Sequence, residues 1–172
     1  MRALRFHGKG DLRIDDVPEP EVGPGLVKIK VEWCGICGTD LHEYQGGPIL
    51  IPPAGSPHPL TGETMPVVMG HEFTGRVAEI GQGVTGFDVG DPVIVEPNIR
   101  DNTCHQCRHG SYNLCSSGGF YGLSGWGGGL AEYAVIDARN LYVLPPSVPT
   151  DVGVLIDPLV VAWQAMIDSG YQ

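Results

Sequence analysis

Positive charge is what this chain has least of. Over 172 residues, 10 Lys and Arg stand against 20 Asp and Glu, a formal net charge of −10. No run of basic residues could track a phosphate backbone, so nucleic acid is not an expected partner. Uninterrupted apolar runs are also missing. The start, Met1-Arg2-Ala3-Leu4-Arg5-Phe6-His7-Gly8, has no signal-peptide core, and the apolar stretch near the C-terminus is broken by Asp157-Pro158 and Gln164. A cytoplasmic protein with no membrane partner is the expectation. Cysteines number only five, and in a chain without an export signal their clustered spacing argues for metal ligation before disulfides. The length is that of about one domain, at roughly 100–200 residues each, and 42% hydrophobic content is enough for a core.

Glycine and proline are plentiful, 26 and 15 respectively, and they punctuate short apolar segments. Val27, Ile29, Val31 and Trp33 alternate with Lys28, Lys30 and Glu32, which predicts a strand with one face on a core and the other in water. Further strands are predicted at Met1–Phe6, Leu12–Asp16, Phe73–Ile80, Pro92–Glu96, Ala131–Ile136 and Leu141–Leu144. This density indicates a mainly β fold, a barrel or sandwich. Between Gln45 and Met65 the prolines at 48, 52, 53, 57 and 59 exclude a helix or central strand and predict a long loop. From Thr150 the texture becomes helical and apolar, with Asp151 placed to cap the helix and an exposed apolar stripe to follow.

One glycine-rich stretch, Gly81-Gln82-Gly83-Val84-Thr85-Gly86, fits a dinucleotide fingerprint by pattern. It continues into Phe87-Asp88-Val89-Gly90-Asp91-Pro92, a turn leading to a short strand rather than a helix, so its glycines are assigned to positive-φ turns.

The chemistry is concentrated in Cys37-Gly38-Thr39-Asp40-Leu41-His42 and Gly70-His71-Glu72. These supply a thiolate, an imidazole and a carboxylate, the mixed set that borderline-soft Zn²⁺ accepts in catalytic sites with an open position. The competing reading is a buried free thiol with a satisfied core histidine. Cys34 and Cys37 also form a Cys-x-x-Cys pair, but without the strand-then-helix setting of a dithiol redox site.

Gly70-His71-Glu72 continuing through Gly75, Gly81 and Val84 resembles the signature of the zinc-containing medium-chain alcohol dehydrogenases. Gly35-Ile36-Cys37-Gly38-Thr39-Asp40 resembles the segment with that family's first zinc ligand, and Leu155-Ile156-Asp157-Pro158-Leu159 the segment with its last. The tract Gly46–Pro53 with His58–Thr64 is most similar to the butanediol and sorbitol dehydrogenase branch. The resemblance implies a GroES-like β-barrel with a few short helices over residues 1–150 and a linker helix over 151–172 leading to a Rossmann domain that this sequence does not include. It implies catalytic zinc on Cys37 and His71, with Glu72 either a transient ligand or an orienting carboxylate. Asp157 stands where this branch has Glu, and is either a ligand or a helix-capping residue. Thr39 and His42 match the family's proton relay, with the cofactor ribose between them. Trp33, Trp126 and the loop near His58 are candidates for the pocket wall, or for core.

Cys104-His105-Gln106-Cys107 and Cys115 resemble the same family's structural zinc lobe, near residues 98–118, with Asp101 in place of one cysteine. Asp101, Cys104, Cys107 and Cys115 form an allowed three-sulfur, one-oxygen set, with His105 or His109 as substitutes and a metal-free lobe as the competing state. The implied activity is oxidation of a secondary alcohol or diol such as 2,3-butanediol or a polyol by NAD(P), in a homo-oligomer. Without the NAD(P) domain the chain is expected to bind zinc and turn nothing over. The alternative is a non-catalytic, zinc-stabilised β-module that docks a partner through its C-terminal helix.

Overall fold

The computed structural model describes residues 1–171. Ten strands and four helices are present among them: β1 (Arg2–Gly8), β2 (Asp11–Asp16), β3 (Leu26–Cys34), α1 (Gly38–Gly46), β4 (Val67–Val68), β5 (Phe73–Ile80), β6 (Pro92–Val95), β7 (Asn98–Ile99), α2 (His105–Arg108), β8 (Gly119–Phe120), β9 (Tyr133–Asp137), β10 (Leu141–Val143), α3 (Thr150–Gly153) and α4 (Ile156–Asp168). The fold is mainly β, and each strand expected from the alternation and its Gly/Pro boundaries is there. The three two-residue strands and helix α1 are additions.

All pairing is antiparallel. A five-stranded sheet runs β10-β6-β5-β3-β9, a three-stranded sheet β2-β1-β4, and β7 pairs with β8 in the lobe. A single bridge, Ala3 to Ala131, ties the two larger sheets together. The inward side chains of the large sheet form the main core, with Val27 and Ile29 from β3, Phe73 and Val77 from β5, Val93 and Val95 from β6, and Ala134 and Ile136 from β9. Phe6, Ile51, Val67, Met69 and Leu123 make a second cluster under the small sheet. Burying each large side chain contributes about 1.5–3 kcal/mol.

Strand β3 departs from strict alternation in two places. Val31 pairs with Gly75 but Trp33 pairs with Thr74, so Glu32 is an extra residue opposite β5. This bulge breaks the period-two alternation and leaves Trp33 53% exposed rather than in the core. Glu32 then accepts a hydrogen bond from the Thr150 hydroxyl at 2.7 Å. Lys28, expected in water, is buried; its stem lies along the sheet and its Nζ reaches Glu19 at 2.9 Å and Glu79 at 3.2 Å.

Residues 47–66 hold no helix or long strand, as the prolines require. Of the glycines at 81, 83 and 86, Gly83 and Gly86 have positive φ, whereas Gly81 is needed because a Cβ there would strike the carbonyls of Gly23 and Leu26. Asp151 lies in the first turn of α3 but does not cap it; Pro149 holds the cap position. Helix α3 is instead held by the Thr74 hydroxyl donating to the Thr150 carbonyl at 2.9 Å. Beyond it α4 has no buried residue, and Leu159, Val161, Trp163 and Ile167 are exposed. The segment Thr150–Asp168 is long and apolar enough to cross a membrane by length and composition, with a mean hydropathy of 1.4.

Candidate metal centres

β3 ends at Cys34, and the turn through Gly35 and Ile36 delivers Cys37 to the N-terminus of α1. The cap is made from inside the helix, where the Asp40 Oδ2 accepts the Cys37 backbone N–H at 2.9 Å. From the other side, Gly70, at φ +91°, turns the chain so that His71 and Glu72 enter the site just before β5. A Cβ on Gly70 would meet the Cys34 sulfur and Leu130, which leaves glycine as the residue that fits.

Cys37, His71 and Glu72 thereby offer ligand atoms that all lie within 4.8 Å of one another, with His71 and Glu72 buried. Two donors on one tetrahedral zinc stand about 3.3–3.8 Å apart, so roughly 1.5 Å of closure at most completes the set. Asp40 was not anticipated. It is buried, and its Oδ1 lies 3.6 Å from His71 Nδ1, too far for a formed hydrogen bond and close for an ion pair. These two atoms are the buried side-chain N and O atoms left without a hydrogen-bond partner among the described residues. A carboxylate facing one ring nitrogen while the other meets a metal is the usual arrangement of a ligating histidine, so the residues present fit a bound zinc. Burial by itself lowers the pKa of His71, but the Asp40 carboxylate, with Cys37, outweighs it and raises it to about 9. The spacing of Cys37 and Asp40, first and fourth residues at a helix start, was the available signal for this contact.

Thr39 stands beside the group, its Oγ1 3.7 Å from Cys37 Sγ, and His42, one turn on along α1, is exposed. The structure does not bring Asp157 into the mutual group. It lies near enough to be influenced: burial first, then the Glu72 charge, raise its pKa to about 6, against the lowering effect of His71. Cys34 is pushed up to about 12 by burial and by the charges of Asp40 and Glu72, and its thiol donates to the Gly35 carbonyl. Contrary to expectation the Cys34–Cys37 pair does sit between a strand and a helix, but a thiol held protonated in this way is unsuited to dithiol exchange with Cys37.

In the lobe, Asp101, Cys104, Cys107 and Cys115 also offer donors within 4.8 Å of one another. Asp101 Oδ1 accepts the N–H groups of Thr103 at 2.7 Å and Cys104 at 2.9 Å, which pull its pKa down to about 2. Backbone N–H groups of Cys107 and Ser116 lower Cys104 to about 7, while burial and the neighbouring thiols raise Cys107 to about 12. Three sulfurs and a carboxylate crowded together suit a closed tetrahedral ion. His105 and His109 are outside the group; they stack on each other at 4.1 Å. Arg100 fastens the lobe, pairing with Glu96 at 3.3 Å and covering the Tyr112 ring.

A cavity of about 860 Å³ is lined by Val67, Tyr121, Trp126 and Tyr133 and by none of the candidate ligands. Trp126 adopts φ 59°, its N–H fixed at 2.9 Å on Glu63, so it walls this cavity and is not in the core.

The alcohol dehydrogenase GroES-like domain family model matches residues 23–146. The chain is 52% identical over 169 residues to the (R,R)-butanediol dehydrogenase of Bacillus subtilis (strain 168), covering 98% of this chain and 47% of that protein. It is 49% identical to the (R,R)-butanediol dehydrogenase of Neisseria gonorrhoeae, covering 99% and 48%. The crystal structure of 2R,3R-butanediol dehydrogenase from Bacillus subtilis superposes with a TM-score of 0.86 at 52% identity, over 91% of this chain and 44% of that one. The chain thus spans about half the length of the curated relatives it matches.

Proposed function

The chain belongs to the alcohol dehydrogenase family, on the butanediol dehydrogenase branch, through its GroES-like domain, and we propose that it is the catalytic half of a zinc-dependent, NAD(P)-linked secondary alcohol or diol dehydrogenase. The observation that carries this is the convergence of a thiol, an imidazole and a carboxylate on one point, with a buried carboxylate behind the imidazole. In the proposal Cys37 and His71 hold the catalytic zinc, with Glu72 and Asp157 supplying carboxylates to it, and Asp101, Cys104, Cys107 and Cys115 hold a structural zinc. The bound metal contributes Lewis acidity, which brings the pKa of a hydroxyl from about 16 toward about 7, and NAD(P) contributes the hydride acceptor.

The protein's own groups do the rest. Asp40 holds the His71 ring in one orientation. The Thr39 hydroxyl, able to donate and accept at once, takes a proton from a substrate hydroxyl at the site, and the exposed His42, one turn away, passes it to solvent. Gly35 leaves room for Glu72 beside them. Vicinal diols such as 2,3-butanediol are the proposed substrates, because relatives 52% and 49% identical to the chain are named butanediol dehydrogenases. The proposed setting is a cytoplasmic homo-oligomer with neither nucleic acid nor membrane as partner. Hydride transfer requires a nicotinamide held against the substrate carbon.

Elemental analysis tests the metal assignment: two zinc ions per chain, one lost in Cys37→Ser and the other in Cys104→Ser. Zinc unchanged in Cys37→Ser would refute it. A second reading, a zinc-stabilised β-module docking a partner through α4, draws on that helix's exposed apolar residues. A zinc that stays inaccessible to chelating inhibitors in both sites would favour it.

A further inference from the structure

Glu43 is fully buried, 0% exposed, and no cation pairs with it among the described residues. Its carboxylate instead accepts three successive backbone N–H groups of the proline-rich loop: Ile49 at 2.8 Å on one oxygen, Leu50 and, at 3.4 Å, Ile51 on the other. A buried carboxylate is tolerated when its lone pairs are taken up in this way. Three converging N–H groups require an acceptor-only side chain; an amide in its place would turn an NH₂ against at least one of them. The loop residue so fixed, Ile51, is itself 0% exposed and belongs to the core cluster that contains Val67 and Met69.

The placement matters because the two candidate donor segments are far apart in sequence. Cys37, Thr39 and Asp40 belong to α1 and its start, as does Glu43 at the far end. His71 and Glu72 follow Met69 with only Gly70 between. At the β3 end these segments are joined directly, where Cys34 pairs with Phe73 and the Gly35 N–H donates to the Glu72 carbonyl at 2.7 Å; at the α1 end they are joined by the 3.6 Å approach of Asp40 to His71 and through Glu43, residues 49–51 and the core cluster. We propose that Glu43 is a positioning residue: by clamping residues 49–51 to α1 it holds the helix that carries Cys37 and Asp40 in place against His71, and so tunes the geometry of the metal group. This rests on the reading that Cys37 and His71 share a metal.

Cobalt(II) provides the test on the whole chain, because a thiolate-to-cobalt absorption band that disappears in Cys37→Ser reports this site while the remaining sulfur band reports the lobe. Glu43→Gln keeps the shape and removes the charge. The expected result is a 10–100-fold weaker cobalt affinity at the Cys37 site, the usual effect of losing support behind a ligand, with a shifted Cys37 band and an unchanged lobe band. Affinity within twofold of wild type with an unaltered band would overturn the proposal, leaving Glu43 a loop anchor only. Gly47→Ala approaches the same contact without touching charge, since a Cβ there would run into the Glu43 carboxylate. The same two outcomes apply to it, and it carries the test alone should Glu43→Gln not fold. A wild-type protein with no Cys37-dependent band would overturn the metal reading and this inference with it.

Discussion

Asp40→Asn separates two effects that the carboxylate exerts on His71 in opposite directions. In the metal-free protein His71 is raised to about 9, so at pH 7 it carries a proton that any metal must displace. Two pH units of proton competition weaken the apparent affinity about 100-fold, or about 2.7 kcal/mol. Asparagine keeps an oxygen to accept the Cys37 N–H and so preserves the helix start, but it removes the negative charge. Burial is then opposed by Cys37 alone, and His71 falls from its raised value. The proton penalty at pH 7 shrinks, while loss of the orienting carboxylate costs 10–100-fold.

The two terms nearly cancel at pH 7, and the variant is 10–100-fold weaker at pH 9. The assay is zinc or cobalt affinity against pH by chelator competition. Cys37 sheds its thiol proton in both proteins, so the difference in slope isolates His71. Wild type should gain about one more decade of affinity per pH unit than the variant between pH 7 and 9. Equal slopes would refute the claim that Asp40 holds a proton on His71. The sign for stability follows: a raised histidine stabilises the metal-free fold fully below about 6.5, and that contribution fades as pH rises through about 9.

Asp157 is raised as well, to about 6, and for it this means that the ionised form is disfavoured in the fold. Stability from this group is present below the unfolded value near 3.9 and is lost as pH rises through about 6, so Asp157→Asn should raise the Tm of metal-free protein at pH 7.5 and leave it unchanged at pH 3, whereas with zinc present a ligating Asp157 makes the same variant lose metal affinity. In the lobe, Asp101→Asn should reduce metal content at that site by tenfold or more at limiting zinc while the Cys37-dependent ion remains, read by elemental analysis of both variants; equal retention would remove Asp101 from the ligand set.

What could be read from the residues, and what could not, follows from the range of the interactions. The strands were legible because period-two alternation and Gly/Pro boundaries are local. The bulge at Glu32 was not, since it is a property of the register of β3 against β5, and it moves Trp33 from core to surface. Helix α1 escaped detection because its buried face is polar, made by Asp40 and Glu43, and apolar periodicity cannot register such a face. The lobe spacing was legible because its four donors lie within fifteen residues, 101 to 115. The three-residue group was legible only through the match of two motifs thirty-odd residues apart, and the supporting carboxylates were left unassigned between ligand and bystander.

Glu72 is the carboxylate whose part can be decided by position as against charge. Gly35 donates its N–H to the Glu72 carbonyl at 2.7 Å, and a Cβ on Gly35 would collide with the Glu72 carboxylate. Gly35→Ala therefore displaces that carboxylate while leaving every charge in place, and Glu72→Gln removes the charge while leaving the shape. If Glu72 gives an oxygen to the metal, both changes act on the same bond, and each should weaken metal binding at the Cys37 site by about tenfold or more, with double-variant effects that do not add. If Glu72 acts through its field alone, Glu72→Gln weakens binding and Gly35→Ala, which moves the charge by an ångström or so, changes it little. The group with Cys37 and His71 brings the Glu72 oxygen within reach of the same ion, so the expected outcome is the first; a Gly35→Ala protein that folds and binds metal like wild type would rule it out.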